Sequence, residues 1–180
     1  MHARGISHRD VKPENLFHFD GRWSVGDFGL AHFQGKAHVT QTGERIGPVH
    51  YIAPEMLNTA SESDGRSADV FSLAKTLWVL ASGQAYPLPG EYTETISAFR
   101  ISSYVTVGRT GALDALLLAC TRFDPRSRPT MDQFAAELTA WLAPTAPSRA
   151  RISLDVGQFA ADLERQQTLF DAKRKREICR

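Results

Sequence analysis

Asp10, Lys12, Asn15 and Asp27 stand close together near the start of a 180-residue chain. Their types suit one kind of chemistry. A loop carboxylate such as Asp10 can accept the proton of a hydroxyl and turn its oxygen toward an electrophile. Asn15 and Asp27 offer hard oxygens of the sort that Mg²⁺ takes alongside phosphate. Lys12 is a cation that can reach a transferring phosphate. Phosphoryl transfer asks for little more than an aligned nucleophile, held metals and neutralised charge. Any one of these residues alone would read as solvated surface, so the arrangement carries the chemistry.

The elements that must position them can be traced along the chain. His8 to Asn15 is polar and contains Pro13, which makes it a loop. Leu16 to Phe19 and Arg22 to Val25 flank Asp20-Gly21, a hairpin signal that would draw Asn15 and Asp27 together. Ala31 to Gly47 is rich in Gly, Thr, Gln and His and reads as a mobile loop. Ala68 to Ser82 is nearly all apolar and stops at Gly83, so it is expected as a helix buried on most sides. Thr93 to Ile101 and Ala112 to Thr121 are expected as short helices. Asp124-Pro125 breaks the chain, and Thr130 caps an amphipathic helix over Met131 to Leu142. Residues 144–151 carry two prolines and read as a linker. Ile152, Val156, Phe159, Leu163, Gln166, Phe170 and Lys173 then follow a four-then-three spacing. That spacing predicts an amphipathic helical tail over 152–180 with a basic end at Lys173 to Arg176.

Composition narrows the classes. A net charge of +1 gives no general reason to bind nucleic acid. Cys120 and Cys179 are too few for a disulfide framework or a cysteine-rich metal site. Met1 to Ser7 lacks the apolar run of a signal peptide. No stretch has the roughly 18 apolar residues of a membrane span. A cytoplasmic location is the expectation, peripheral at a membrane if the tail reaches one.

The run His8-Arg9-Asp10-Val11-Lys12-Pro13-Glu14-Asn15, then Asp27-Phe28-Gly29, then Ala53-Pro54-Glu55, resembles the second half of the eukaryotic-type protein-kinase signature set. The resemblance covers Met1 to about Leu142. It implies an α+β protein-kinase-like fold: a mainly α-helical C-terminal lobe over 1–143 with a short β-hairpin, the small lobe absent. It implies a bacterial-like serine/threonine kinase that uses ATP and Mg²⁺ and acts on protein Ser/Thr hydroxyls. Asp10 and Lys12 would be catalytic, with Lys12, Asn15 and Asp27 facing nucleotide and metal. His8 would be structural. Asp69 would take hydrogen bonds from the catalytic-loop backbone; its other reading is a charge favourable to a helix N-terminus. Glu55 and Arg128 would form a buried ion pair. Arg9 would pair with phosphate on Thr40 or Thr42 of a Thr-x-Thr activation loop, unless these are ordinary loop hydroxyls. The other histidines, at 2, 18, 32, 38 and 50, read as surface or packing residues.

Two departures stand out. Gly47-Pro48 replaces the family's Gly-Thr, and proline has no N–H and no hydroxyl to offer the catalytic loop. Ala74 stands where glycine is frequent. No glycine-rich phosphate loop, strand lysine or partner glutamate occurs in these 180 residues, so the expectation is a truncated kinase. The alternative is an inactive kinase-like binding module. The tail's partner would be another helix or an anionic membrane surface. With the preceding helix mostly missing, the Ala68 to Ser82 helix is expected to leave an uncovered apolar face.

Overall fold

Asp64 starts the longest helix among the described residues: its side chain accepts the backbone N–H of Arg66, and Gly83, at φ 68°, closes the other end. The structure is a computed structural model and describes residues 1–33, 49–58, 63–106 and 109–143. Within them the strands are β1 (Ile6–Ser7), β2 (Leu16–Phe19), β3 (Arg22–Val25) and β4 (His32–Phe33). The α-helices are α1 (Pro54–Asn58), α2 (Gly65–Ser82), α3 (Thr110–Cys120) and α4 (Met131–Leu142).

Two compact units are distinguished. The first comprises Met1–Leu16 and Val25–Ala143, and the second contains the hairpin tip Phe17–Ser24. In the tip, Asp20 and Gly21 have φ of 50° and 70°. Both centres of the turn are therefore left-handed, as the twist of a two-residue hairpin requires. His18 and Trp23 face one another across it, their ring centroids 5.0 Å apart.

The first unit is built around α2. Val70, Ala74, Trp78 and Val79 form its core with Leu113, Leu116 and Leu117 of α3 and Phe134 of α4. Phe71 and Ala68 make a second cluster with Ala53. A helix nearly apolar all round can lie at the centre of a lobe because neighbours cover it on several sides. The expected bare face is not there: Leu73, Leu77 and Ala81 are partly buried against the main core, and no large apolar residue of α2 is exposed. Polar groups on α2 are satisfied by loops. Ser72 Oγ donates to Tyr51 O at 2.8 Å, and Trp78 Nε1 to Phe99 O at 2.6 Å.

Several boundaries differ from the sequence-based expectation. The long helix begins at Gly65, not Ala68, because Asp64 is its cap. The helix expected over Thr93 to Ile101 is absent; in its place are two 3₁₀ turns, Ser97–Phe99 and Ile101–Ser103. Local side chains take backbone groups that a helix would use. Arg100 Nε donates to Glu94 O, Ser103 Oγ to Ser97 O, and Thr95 N–H donates to Thr93 Oγ1. Helix α3 runs from Thr110 to Cys120, shifted from the expected Ala112 to Thr121. Met131–Leu142 is as expected, with a full capping box between Thr130 and Gln133. His32–Phe33, inside the expected loop, instead pairs antiparallel with Ile6–Ser7. The rest of that loop, the linker 144–151 and the tail 152–180 lie outside the described residues.

Candidate active site

The loop after β1 is fastened from below by one buried carboxylate. Asp69, on α2, accepts the backbone N–H of His8 through Oδ2 and that of Arg9 through Oδ1, both at 2.7 Å. His2 Nε2 lies 2.8 Å from the same Oδ2. Donors on three sides let a fully buried carboxylate persist, where an unpaired one would be costly. Arg9 itself adopts φ 66°, the left-handed turn that lets consecutive amides point at one acceptor.

His8 ties the loop to the next segment. Its Nδ1 accepts from the Asp10 N–H at 3.3 Å, which leaves Nε2 as the donor to Gly26 O at 2.9 Å. Its ring also meets Phe28 edge-on at 4.8 Å. Gly26 N–H in turn donates to Asn15 O at 2.9 Å. The base of the hairpin thus sets Asn15 beside the residue that precedes Asp27.

The Asp10 carboxylate is gripped from two directions. Lys12 Nζ is 3.0 Å from Oδ1 and 2.8 Å from Oδ2. Asn15 Nδ2 donates to Oδ2 at 3.0 Å and to the Asp10 carbonyl at 2.7 Å. With its amide nitrogen so engaged, buried Asn15 keeps Oδ1 for other use. Asp27 is exposed at φ 59°, and Gly29 N–H donates to its Oδ1 at 3.3 Å. A carboxylate and an amide oxygen are hard donors that suit a divalent cation sharing its sphere with phosphate and water. Among the described residues no three His, Cys, Asp or Glu side chains gather into a site that could hold a metal by themselves.

Glu55 and Arg128 form a second, separate constellation. Arg128 Nη1 is 2.7 Å from Oε1 and Nη2 is 2.9 Å from Oε2 of Glu55. The remaining guanidinium donors go to the carbonyls of Arg122, Ser67 and Phe123. The guanidinium carbon lies 4.8 Å from the centre of the Phe71 ring. This pair links α1 to the turn before α4.

The structure therefore brings His8, Asp10, Lys12, Asn15 and Asp69 into one network and places Asp27 at its edge. Arg9 immediately precedes Asp10, and its Nε is buried without a hydrogen-bond partner among the described residues. Burial pushes its guanidinium below the ordinary arginine value, against the pull of Asp69 and Asp64. Thr40, Thr42 and Pro48 lie outside the described residues. The sequence reading missed His2, taken as surface or packing, which is a ligand of Asp69. No signal along the chain pointed to it: the contact depends on Gly5, which at φ 68° ends the His2–Arg4 turn just before β1.

Residues 1–139 match the family described as the protein kinase domain. The chain belongs to the protein kinase domain family. Serine/threonine-protein kinase PknL of Mycobacterium tuberculosis is 34% identical over 134 residues, 71% of this chain and 33% of the relative. A protein described as a probable serine/threonine-protein kinase, pknA2 of Bifidobacterium longum, is 32% identical over 158 residues, 83% of this chain and 20% of the relative. PkwA of Thermomonospora curvata, described in the same words, is 32% identical over 139 residues, 77% of this chain and 18% of the relative. The chain thus spans a third or less of the length of these relatives. As a kinase lobe, mostly helical with a small hairpin, it has the fold class that its motifs imply. The kinase family implies ATP and typically a divalent metal, and the oxygens of Asn15 and Asp27 are of the hard kind that such a metal takes.

Proposed function

We propose that this lobe serves a serine/threonine protein kinase that moves the γ-phosphate of ATP to a protein Ser or Thr hydroxyl. Asp10 accepts the hydroxyl proton and orients the oxygen, and Lys12 balances the charge that develops on the transferred group. Asn15 Oδ1 and the Asp27 carboxylate hold Mg²⁺, which supplies electrostatic stabilisation of the phosphates when bound. The observation that carries this reading is the clasp on Asp10. Lys12 and Asn15 both reach its carboxylate, and Asp69 anchors the backbone beneath it. Lys12 supports the serine/threonine class, and Pro48 makes the identity of the hydroxyl a point to be measured.

The same reading has Thr40 or Thr42 phosphorylated and paired with Arg9, in a cytoplasmic protein. It has the basic end of the tail meeting a helix partner or an anionic membrane surface. Mass spectrometry of active protein that found both threonines unmodified would remove the first of these.

The central experiment is transfer from radiolabelled ATP by the full-length protein. Asp10→Asn is expected to lower the rate by about 10²–10⁴-fold while nucleotide still binds. Asp27→Ala is expected to weaken Mg-ATP binding. Unchanged turnover in Asp27→Ala would defeat the assignment. No transfer by the wild type under any condition would leave the binding-module alternative.

A further inference from the structure

Gly65 is the first residue of α2 and is buried, yet its φ is not in the range that calls for glycine. The backbone conformation therefore does not explain a residue without a side chain at this position. A Cβ built on Gly65 would overlap Ser7 Oγ, come within 2.8 Å of Ser7 Cβ, and lie 2.9 Å from Arg9 Nε. The overlap with Ser7, whose Cβ is fixed by the backbone, is the harder one to relieve. Ser7 is buried and pairs with His32 in the β1–β4 ladder. Arg9 is held by its N–H to Asp69 and by its left-handed backbone, with its Nε already enclosed. Gly111 is the contrast. It too sits early in a helix, α3, and a Cβ there meets nothing within 4 Å.

We propose that Gly65 is a positioning residue: its missing side chain lets the start of α2 touch Ser7 and Arg9, and that contact sets where the loop carrying Asp10 sits. Arg9 immediately precedes Asp10, and Ser7 pairs with the strand that follows Asp27 to Gly29. The contact therefore bears first on the base, through Arg9, and only indirectly, through the β1–β4 pairing, on the segment after Asp27. The catalytic part of this inference rests on the phosphoryl-transfer reading above.

The test uses Gly65→Ala, Ser7→Gly, their double variant and Gly111→Ala. In the 180-residue chain, amide exchange at His8 and Arg9 reports the two bonds to Asp69. Gly65→Ala should speed it about tenfold or more, while the Phe134 amide, bonded to Thr130 O within α4's first turn, is unchanged. Ser7→Gly removes Oγ and Cβ, the two nearest atoms, and leaves only the Arg9 side chain to give by a few tenths of an ångström, so it should restore slow exchange in the double variant. In the full-length protein, kcat should fall about tenfold or more in Gly65→Ala, with little change in KM for Mg-ATP, and recover in the double variant. Gly111→Ala should match wild type. Unchanged exchange in Gly65→Ala, or a loss that Ser7→Gly does not reverse, would overturn the proposal. If Gly65→Ala does not fold, the double variant decides: folded with slow exchange supports the contact, and unfolded refutes it. If wild type transfers no phosphate, the functional reading fails and the exchange cycle still judges the contact.

Discussion

At the scale of single residues, the costliest groups to disturb are the buried charges, because each is compensated by specific partners. Arg128 has its side chain fully enclosed and spends its donors on Glu55 and three carbonyls. Arg128→Met keeps the bulk but takes the guanidinium away from the Glu55 carboxylate, and breaking such a pair costs about 3–5 kcal/mol. Glu55→Gln should cost less, since the guanidinium keeps its carbonyl acceptors. Urea denaturation of both variants checks the order, and equal losses would contradict it. Asp69→Asn forfeits a charge-assisted acceptor for two backbone amides, and a loss of about 2 kcal/mol is expected. These roles were legible in different degrees. Glu55, Arg128 and Asp69 could be read because each sits in a motif with an identifiable neighbour. His2 could not, because nothing along the chain says that a histidine 67 positions away will meet Asp69. That contact exists only once Gly5 has turned the chain.

At the scale of elements, local signals succeeded where one residue decides a local geometry. Asp20-Gly21 supplies two positive φ values and fixes the hairpin, and Thr130 with Gln133 fixes the start of α4. Thr130→Ala should therefore cost about 1 kcal/mol, seen as a lower melting temperature with an unchanged urea m-value. An altered m-value would show that more than the cap was lost. Local signals failed where side chains compete with backbone. Thr93 to Ile101 is expected from the sequence to be a short helix, but Thr, Ser and Arg side chains in and beside it bond nearby backbone groups and leave 3₁₀ turns. β4 was illegible for a different reason. Two residues carry no period, and only the pairing with β1 makes His32–Phe33 a strand. The uncovered face expected on α2 was an error of context, since the lobe's own α3 and α4 supply much of the cover.

At the scale of the whole molecule, stability should carry the mark of one enclosed amine. Lys75, in the middle of α2, is almost fully buried. Its Nζ donates to Leu88 O at 2.6 Å and to Gly90 O, and stands 5.1 Å from the Phe71 ring centre. The ammonium thus staples α2 to the loop that leads into Tyr92. Burial pushes it down to about 7 from an ordinary 10.5. Between those values the folded protein binds fewer protons than the unfolded chain, so stability rises with pH from about 7 toward 10.5 and is flat below 7. The slope is at most about 1.4 kcal/mol per pH unit. The two carbonyls favour the charged form, which narrows the pH window over which the slope applies. Tyr51 and Tyr92 act in the opposite sense. Burial raises both phenols above 10, so the folded state then keeps protons that the unfolded chain sheds, and stability falls beyond about pH 10. A maximum near pH 9 to 10 follows for the wild-type lobe. Lys75→Met isolates the amine, since it keeps the chain length and removes the titration. The difference between wild type and Lys75→Met, measured by urea unfolding from pH 6 to 10, should be constant below pH 7 and shift steadily in favour of wild type above it. A difference independent of pH across the whole range would mean that Lys75 keeps its ordinary affinity for the proton, with the two loop carbonyls fully offsetting its burial.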